Sequence, residues 1–92
     1  MKYLSVLGST GSIGKSTLDI VSLHPDLFGI RALTCAGNIN LLAKQINTFN
    51  PEIVSVIDED KAFELSRLLK GRKKPEILYG ESGNIQAASY KN

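Results

Sequence analysis

The sequence is short of the residues that metal centres, disulfide frameworks and membrane anchors need. It has one cysteine, one histidine, one methionine and no tryptophan. A lone cysteine, Cys35, excludes an intramolecular disulfide and points to a reducing, intracellular setting. Placed in the apolar run Leu33-Thr34-Cys35-Ala36, it reads as a small buried side chain. No apolar run approaches the length of a membrane span, and Met1-Lys2 leads straight into a strand pattern without a signal peptide. The reading is a cytoplasmic chain with no membrane partner. Net charge is +2 at pH 7 over 92 residues, too mild to argue for nucleic acid. The basic turn Lys70, Arg72, Lys73 and Lys74 around Gly71 is explained by the preference of cations for a helix C-terminus. A nucleic-acid strip would be longer, with aromatics between the charges. A chain of this length buries about 60–65 % of its unfolded surface, enough for a sheet with helices on it.

What is present alternates. Tyr3–Leu7 is an apolar run ending at Gly8, as a buried strand would. Lys15–Leu23 has helical spacing. Leu18 and Val21 share a face, Ile20 widens it, and His24-Pro25 ends it. Ile30–Thr34, with the tail Cys35-Ala36, is a second strand. Asn40 is placed to cap a helix carrying Leu42, Ile46 and Phe49, closed by Asn50-Pro51. Ile53–Ile57 is a third strand. Asp58 caps a third helix, with Glu59 and Asp60 at its positive end and Leu65, Leu68 and Leu69 on its apolar face up to Gly71. Ile77–Tyr79 is a fourth strand, and residues 80–92 read as a weak helix or frayed tail. The order β-α-β-α-β-α-β predicts an α/β, Rossmann-like parallel sheet with helices on both faces. The sheet is expected to be incomplete, because residues 80–92 carry too little apolar content to close a domain.

The stretch Gly8-Ser9-Thr10-Gly11-Ser12-Ile13-Gly14 lies between the first strand and the first helix. A helix start offers unpaired N–H groups and the positive dipole end, and glycine lets backbone approach a phosphate. Thr10 and Ser12 add hydroxyl donors. The ending Gly14-Lys15-Ser16 imitates a P-loop, but that motif needs a glycine where Ser9 stands, and Gly8 is one residue too early. Asp58, after the third strand, could imitate the magnesium-holding aspartate of such a site, although helix capping explains it. A dinucleotide site makes a second demand: an acidic residue about 20 residues on, at the end of the second strand, for the ribose hydroxyls of NAD. Between Asp26 and Glu52 there is no acidic residue. The absence permits a 2′-phosphate, with the Asn38 amide and the N–H groups of Ala36 and Gly37 as donors. It does not require one, since Ala36-Gly37-Asn38 contains no cation either.

Leu7 to Gly14, followed by Ser16-Thr17-Leu18-Asp19, resembles the amino terminus of the 1-deoxy-D-xylulose 5-phosphate reductoisomerase family. The similarity continues through His24-Pro25, Phe28, Ala32-Leu33, Ala36-Gly37-Asn38, Pro51 and Ile53–Ile57, and is strongest over residues 1–40. It implies that residues 1–92 are the amino-terminal portion of an NADPH-binding domain. The parent enzyme would convert 1-deoxy-D-xylulose 5-phosphate, a small phosphorylated sugar, to 2-C-methyl-D-erythritol 4-phosphate for isoprenoid synthesis. It would use a divalent metal, Mg or Mn, and work as a homodimer. Carried over by position, the cofactor-binding residues are Thr10, Gly11, Ser12, Ile13, Ala36, Gly37 and Asn38. Family members often have Gly or Asn where Ala36 stands and a basic or hydroxyl residue where Gly37 stands. No catalytic residue and no metal ligand falls within this chain, which alone is expected to be inactive; the cluster Asp58-Glu59-Asp60 is assigned to capping, and His24 to a helix end. Two other readings stay open: a P-loop-like nucleotide-binding fragment, and a Rossmann-like protein-interaction module.

Overall fold

A computed structural model describes residues 1–69 and 74–90. Four strands, β1 (Lys2–Val6), β2 (Phe28–Thr34), β3 (Ile53–Val56) and β4 (Glu76–Tyr79), form one parallel sheet in the order β1-β2-β3-β4. Helices α1 (Ser12–Leu23), α2 (Ile39–Phe49) and α3 (Glu59–Leu68) make the crossovers, and α4 (Gly80–Ala88) follows β4. Crossovers between parallel neighbours are almost always right-handed, and a sheet that always grows in one direction then collects its crossover helices on one face.

The cores show this layering. Ile53 and Val54 are adjacent on β3 and point to opposite faces. Val54 joins Val6, Ile30, Leu33 and Val56 from the sheet with Leu18 and Val21 of α1, Leu42 and Ile46 of α2, and Leu65 of α3. Ile53 joins Ala32 and Ala87 of α4 on the other side. The expected sheet with helices on both faces is therefore present, three helices against one. Each fully buried leucine such as Leu33 or Leu42 contributes about 2 kcal/mol of transfer free energy.

One irregularity keeps the faces in step. Leu4 pairs with Ile30 but Ser5 pairs with Ala32, so Arg31 is an extra residue bulged out of β2. Without it, Ile30 and Leu33 could not share a face. The displaced Arg31 guanidinium lies 4.3 Å from the Tyr3 ring centroid, and its Nε is 2.8 Å from the Glu52 carboxylate.

Several boundaries differ from the sequence expectation. Helix α1 begins at Ser12, not Lys15, with Gly11 as its N-cap. Its buried face is Gly14, Leu18 and Val21, spaced i, i+4, i+7; Ile20 lies well around the helix and is 56 % exposed, so it does not widen the face. Helix α2 is capped by Asn38, whose Oδ1 accepts the Leu41 N–H at 3.3 Å, and Asn40 is exposed inside the helix. Starting at Ile39 puts Ile39, Leu42, Ala43 and Ile46 on one buried stripe, which a start after Asn40 would forfeit. Asn50 ends α2 in the left-handed region at φ 50°, a conformation that asparagine tolerates. In α3, Asp58 caps as expected, its Oδ1 accepting the Lys61 N–H at 2.9 Å. Leu65 and Leu69 are buried, whereas Leu68 is 49 % exposed beside α2. Strand β3 ends at Val56, one residue early, β1 runs Lys2–Val6, and β2 starts at Phe28. The basic turn at residues 70–73 lies outside the described residues, as do residues 91–92; Lys74 donates to Ser66 Oγ at 3.0 Å.

The segment read as a weak helix or frayed tail is a packed helix from Gly80 to Ala88. Its apolar content is low because it presents small residues instead. A Cβ on Gly83 would lie 2.7 Å from Ser55 Oγ and 3.0 Å from Leu78 Cβ. Glycine there allows α4 to rest directly on the sheet. Ser55 Oγ beneath it is buried without a protein hydrogen-bond partner.

Candidate functional site

All four strands run the same way, so the loops after β1, β2 and β3 emerge at one edge of the sheet. In open α/β sheets this carboxyl edge is where ligands bind. The loop after β1 is held from three sides. Gly8 turns at φ 66°, and its N–H donates to Thr34 Oγ1 at 3.0 Å. The Ser9 N–H donates to the Thr34 carbonyl at 2.8 Å, and the Gly11 N–H to the Gly8 carbonyl at 3.0 Å. Ser9 is fully buried and makes two hydrogen bonds with α2: its Oγ donates to Gln45 Oε1 at 2.7 Å, and Gln45 Nε2 donates to the Ser9 carbonyl at 2.9 Å. From below, Gly14 packs against Gly8 and Ser9 backbone, where a Cβ would find no space.

That clamping leaves the outer rim bare. Gly11, Ser12 and Ile13 are exposed and Thr10 is half-buried. No side chain caps α1, and its first turn has no acidic residue. The start of α1 is thus an open end with donors facing outward, which suits an anion.

The loop after β2 lies alongside. It is stitched to β3 by the Cys35 N–H donating to the Ser55 carbonyl at 2.9 Å and the Ile57 N–H donating to the Ala36 carbonyl at 3.1 Å. Ala36, Gly37 and Asn38 are exposed. Asn38 spends its oxygen on capping α2, which leaves its amide as a donor toward solvent. Cys35 sits between the two loops. Burial pushes its thiol above the ordinary value, while the Thr10 hydroxyl and the Asn38 backbone act in the opposite direction. A raised folded-state value favours the native protein while the thiol is neutral. That contribution is intact at neutral pH and fades as pH climbs from the free-thiol value toward the raised one. Native Cys35 is therefore expected to react with a thiol reagent at neutral pH far more slowly than the urea-unfolded chain, and a rate equal in both states would contradict this placement.

Thr10, Gly11, Ser12 and Ile13 on one loop and Ala36, Gly37 and Asn38 on the next are thus brought to one edge. Among the described residues there is no group of three or more His, Cys, Asp or Glu side chains that could hold a metal ion. His24 is exposed at the end of α1, and its N–H donates to the Val21 carbonyl. Lys15 is exposed on α1. No described helix is long and apolar enough to cross a membrane.

Residues 4–92 match the family model of 1-deoxy-D-xylulose 5-phosphate reductoisomerase. The chain belongs to this family. It is 57 % identical over 89 residues to the 1-deoxy-D-xylulose 5-phosphate reductoisomerase of Geobacter sp. (strain M21), covering 97 % of this chain and 23 % of that protein. The enzyme of Chlorobium phaeobacteroides (strain DSM 266) is 52 % identical over the same coverage. A crystal structure of DOX-P reductoisomerase in complex with NADPH, fosmidomycin and magnesium superimposes with a TM-score of 0.91 at 34 % identity, over 99 % of this chain and 22 % of that one. The reductoisomerase from Zymomonas mobilis in complex with NADPH gives 0.89 at 31 % identity. The chain therefore spans just under a quarter of the reductoisomerases it matches.

In this member of the reductoisomerase family, the sequence singles out the two loops that the fold brings to one edge, but not the residues that support them. Thr34 reads as one more strand residue and Gln45 as one more polar position on a helix. Nothing local separates Gln45, which is buried, from its exposed neighbour Lys44; the difference lies in the Ser9 backbone and hydroxyl that Gln45 meets.

Proposed function

We propose that this chain is the amino-terminal portion of the NADPH-binding domain of a 1-deoxy-D-xylulose 5-phosphate reductoisomerase. The glycine loop takes the cofactor pyrophosphate. Thr10, Gly11, Ser12 and Ile13 offer donors at the open start of α1. Ala36, Gly37 and Asn38 take the adenosine ribose end, where no carboxylate opposes a 2′-phosphate. The observation that carries this reading is the uncapped α1 terminus, with its glycine loop clamped from behind by Thr34 and Gln45 and left bare in front. The rigid backing means that the donors are already placed before a ligand arrives, which lowers the ordering cost of binding.

NADPH supplies the hydride when bound. This chain's residues hold and orient it. The parent enzyme converts 1-deoxy-D-xylulose 5-phosphate to 2-C-methyl-D-erythritol 4-phosphate as a cytoplasmic homodimer, with a divalent metal whose ligands belong to parts of the enzyme beyond these residues. Alone, the chain is inactive; turnover of that sugar phosphate by the purified 92-residue chain would refute this.

Calorimetric titration with NADPH, NADH and Mg-ATP tests the site. NADPH is expected to bind and Mg-ATP to give no heat. Binding of Mg-ATP alone would favour a P-loop and overturn the proposal. Gly11→Asp sharpens the test. Gly11 occupies the N-cap of α1, and aspartate is among the best N-cap residues. The variant should remain folded while its carboxylate occupies the anion position, and NADPH binding should be lost.

A further inference from the structure

The second loop carries neither a carboxylate nor a cation, yet a cation reaches it through space. Lys61, in the first turn of α3, lays its side chain across the loop: its Cε is 3.9 Å from the point where a Cβ on Gly37 would stand. The backbone N–H of Lys61 is fixed by the Asp58 cap at 2.9 Å, which anchors the start of its side chain. The Nζ lies 3.7 Å from Glu64 Oε2, one turn along α3, with both side chains partly exposed. Such a pair is weak in water and exchanges readily for a better anion.

We infer that Lys61 is the residue that distinguishes NADPH from NADH in this chain, its ammonium moving from Glu64 to the 2′-phosphate of a cofactor seated on Gly37 and Asn38. The inference rests on the dinucleotide reading above. In Rossmann-type sites the end of the second strand faces the 2′ position, and a nearby cation accommodates a phosphate there. The surrounding acids do not block the approach. Asp58 is engaged by the Lys61 N–H, and Glu59 Oε2 lies 3.4 Å from the Tyr79 hydroxyl. Asp60 lies beside them in the first turn of α3 and is exposed. Glu64 is the competitor, and a phosphate carrying about two charges outbids a single carboxylate.

The test is titration of the 92-residue chain and three variants with NADPH and with NADH. Lys61→Met is expected to weaken NADPH about tenfold and leave NADH unchanged, the loss of a single charge-assisted contact. Glu64→Gln should tighten NADPH and not NADH. Adding Gly37→Lys to Lys61→Met should restore the preference from the loop itself. Thermal melts of the same samples confirm folding, since the altered side chains are partly exposed. An unchanged ratio of the two affinities in Lys61→Met overturns the assignment. Equal binding of both cofactors by the unaltered chain also overturns it but leaves the dinucleotide site standing. Binding of neither overturns both.

Discussion

Gly14→Ala is expected to lower the unfolding free energy by about 3 kcal/mol, at the upper end of what overpacking costs. For a domain of this size that corresponds to a fall in Tm of roughly 12–24 °C. The added methyl would stand 2.6 Å from Ser9 Cα and 2.9 Å from the Gly8 carbonyl carbon, with the Gly8 carbonyl oxygen closer still. All three are backbone atoms and none can swing aside. Gly8 is held by Thr34, and Ser9 by Thr34 and Gln45. Relief therefore requires α1 to move away from the sheet, taking Leu18 and Val21 out of the core. Gly37→Ala is the control, because its new methyl would meet a single atom, Lys61 Cε, at 3.9 Å. It should change stability by no more than about 0.5 kcal/mol. Urea unfolding of the three proteins checks both statements, and equal midpoints for Gly14→Ala and Gly37→Ala would show that the close packing is not real.

Gln45→Met should cost a similar amount, about 3 kcal/mol, by a different route. Methionine fills the volume but supplies neither hydrogen bond. The Ser9 hydroxyl and carbonyl would both be left without a partner, each costing about 1–3 kcal/mol in a buried setting. Ser9→Ala removes one of the stranded groups, so the double variant should be less destabilised than the sum of the single ones by at least about 1 kcal/mol. Strict additivity would mean that Ser9 and Gln45 do not act as a unit. NADPH affinity, measured well below the melting range, should also fall in Gln45→Met, because the residue touches the back of the loop and its loss frees the front.

These two positions mark how far the sequence could be read. Gly14 was visible: a third glycine at this spacing, after a strand and inside a helix start, has a known packing reason. So were the alternation of strands and helices, the Asp58 cap and the loop Ala36-Gly37-Asn38, since each depends on neighbours within a few residues. Gln45 was not, because its meaning lies in a partner 36 residues away. Lys61 was hidden in the same way, placed against Gly37 by the packing of α3 beside α2. The cap at Asn38 instead of Asn40 turned on which start buries Ile39, a tertiary preference that local capping chemistry cannot rank. The Arg31 bulge has no sequence signature of its own. It follows from the need to bring both Ile30 and Leu33 to one face. The helix after β4 reads as weak because its packing uses Gly83 and Ala87, small residues that carry little hydropathy.

The unbroken order β1-β2-β3-β4 has a consequence for how the chain is made. Each strand pairs with the strand synthesised just before it. The sheet can therefore grow in the direction of translation, each new unit docking on a finished edge, with every closure short in sequence and so kinetically accessible. The glycine loop is the exception. It precedes α2 in the chain by about 30 residues, the length of one β-α-β unit, yet it is not locked until α2 arrives with Gln45. The donors of the loop therefore owe their fixed positions to a partner on the second helix of the chain.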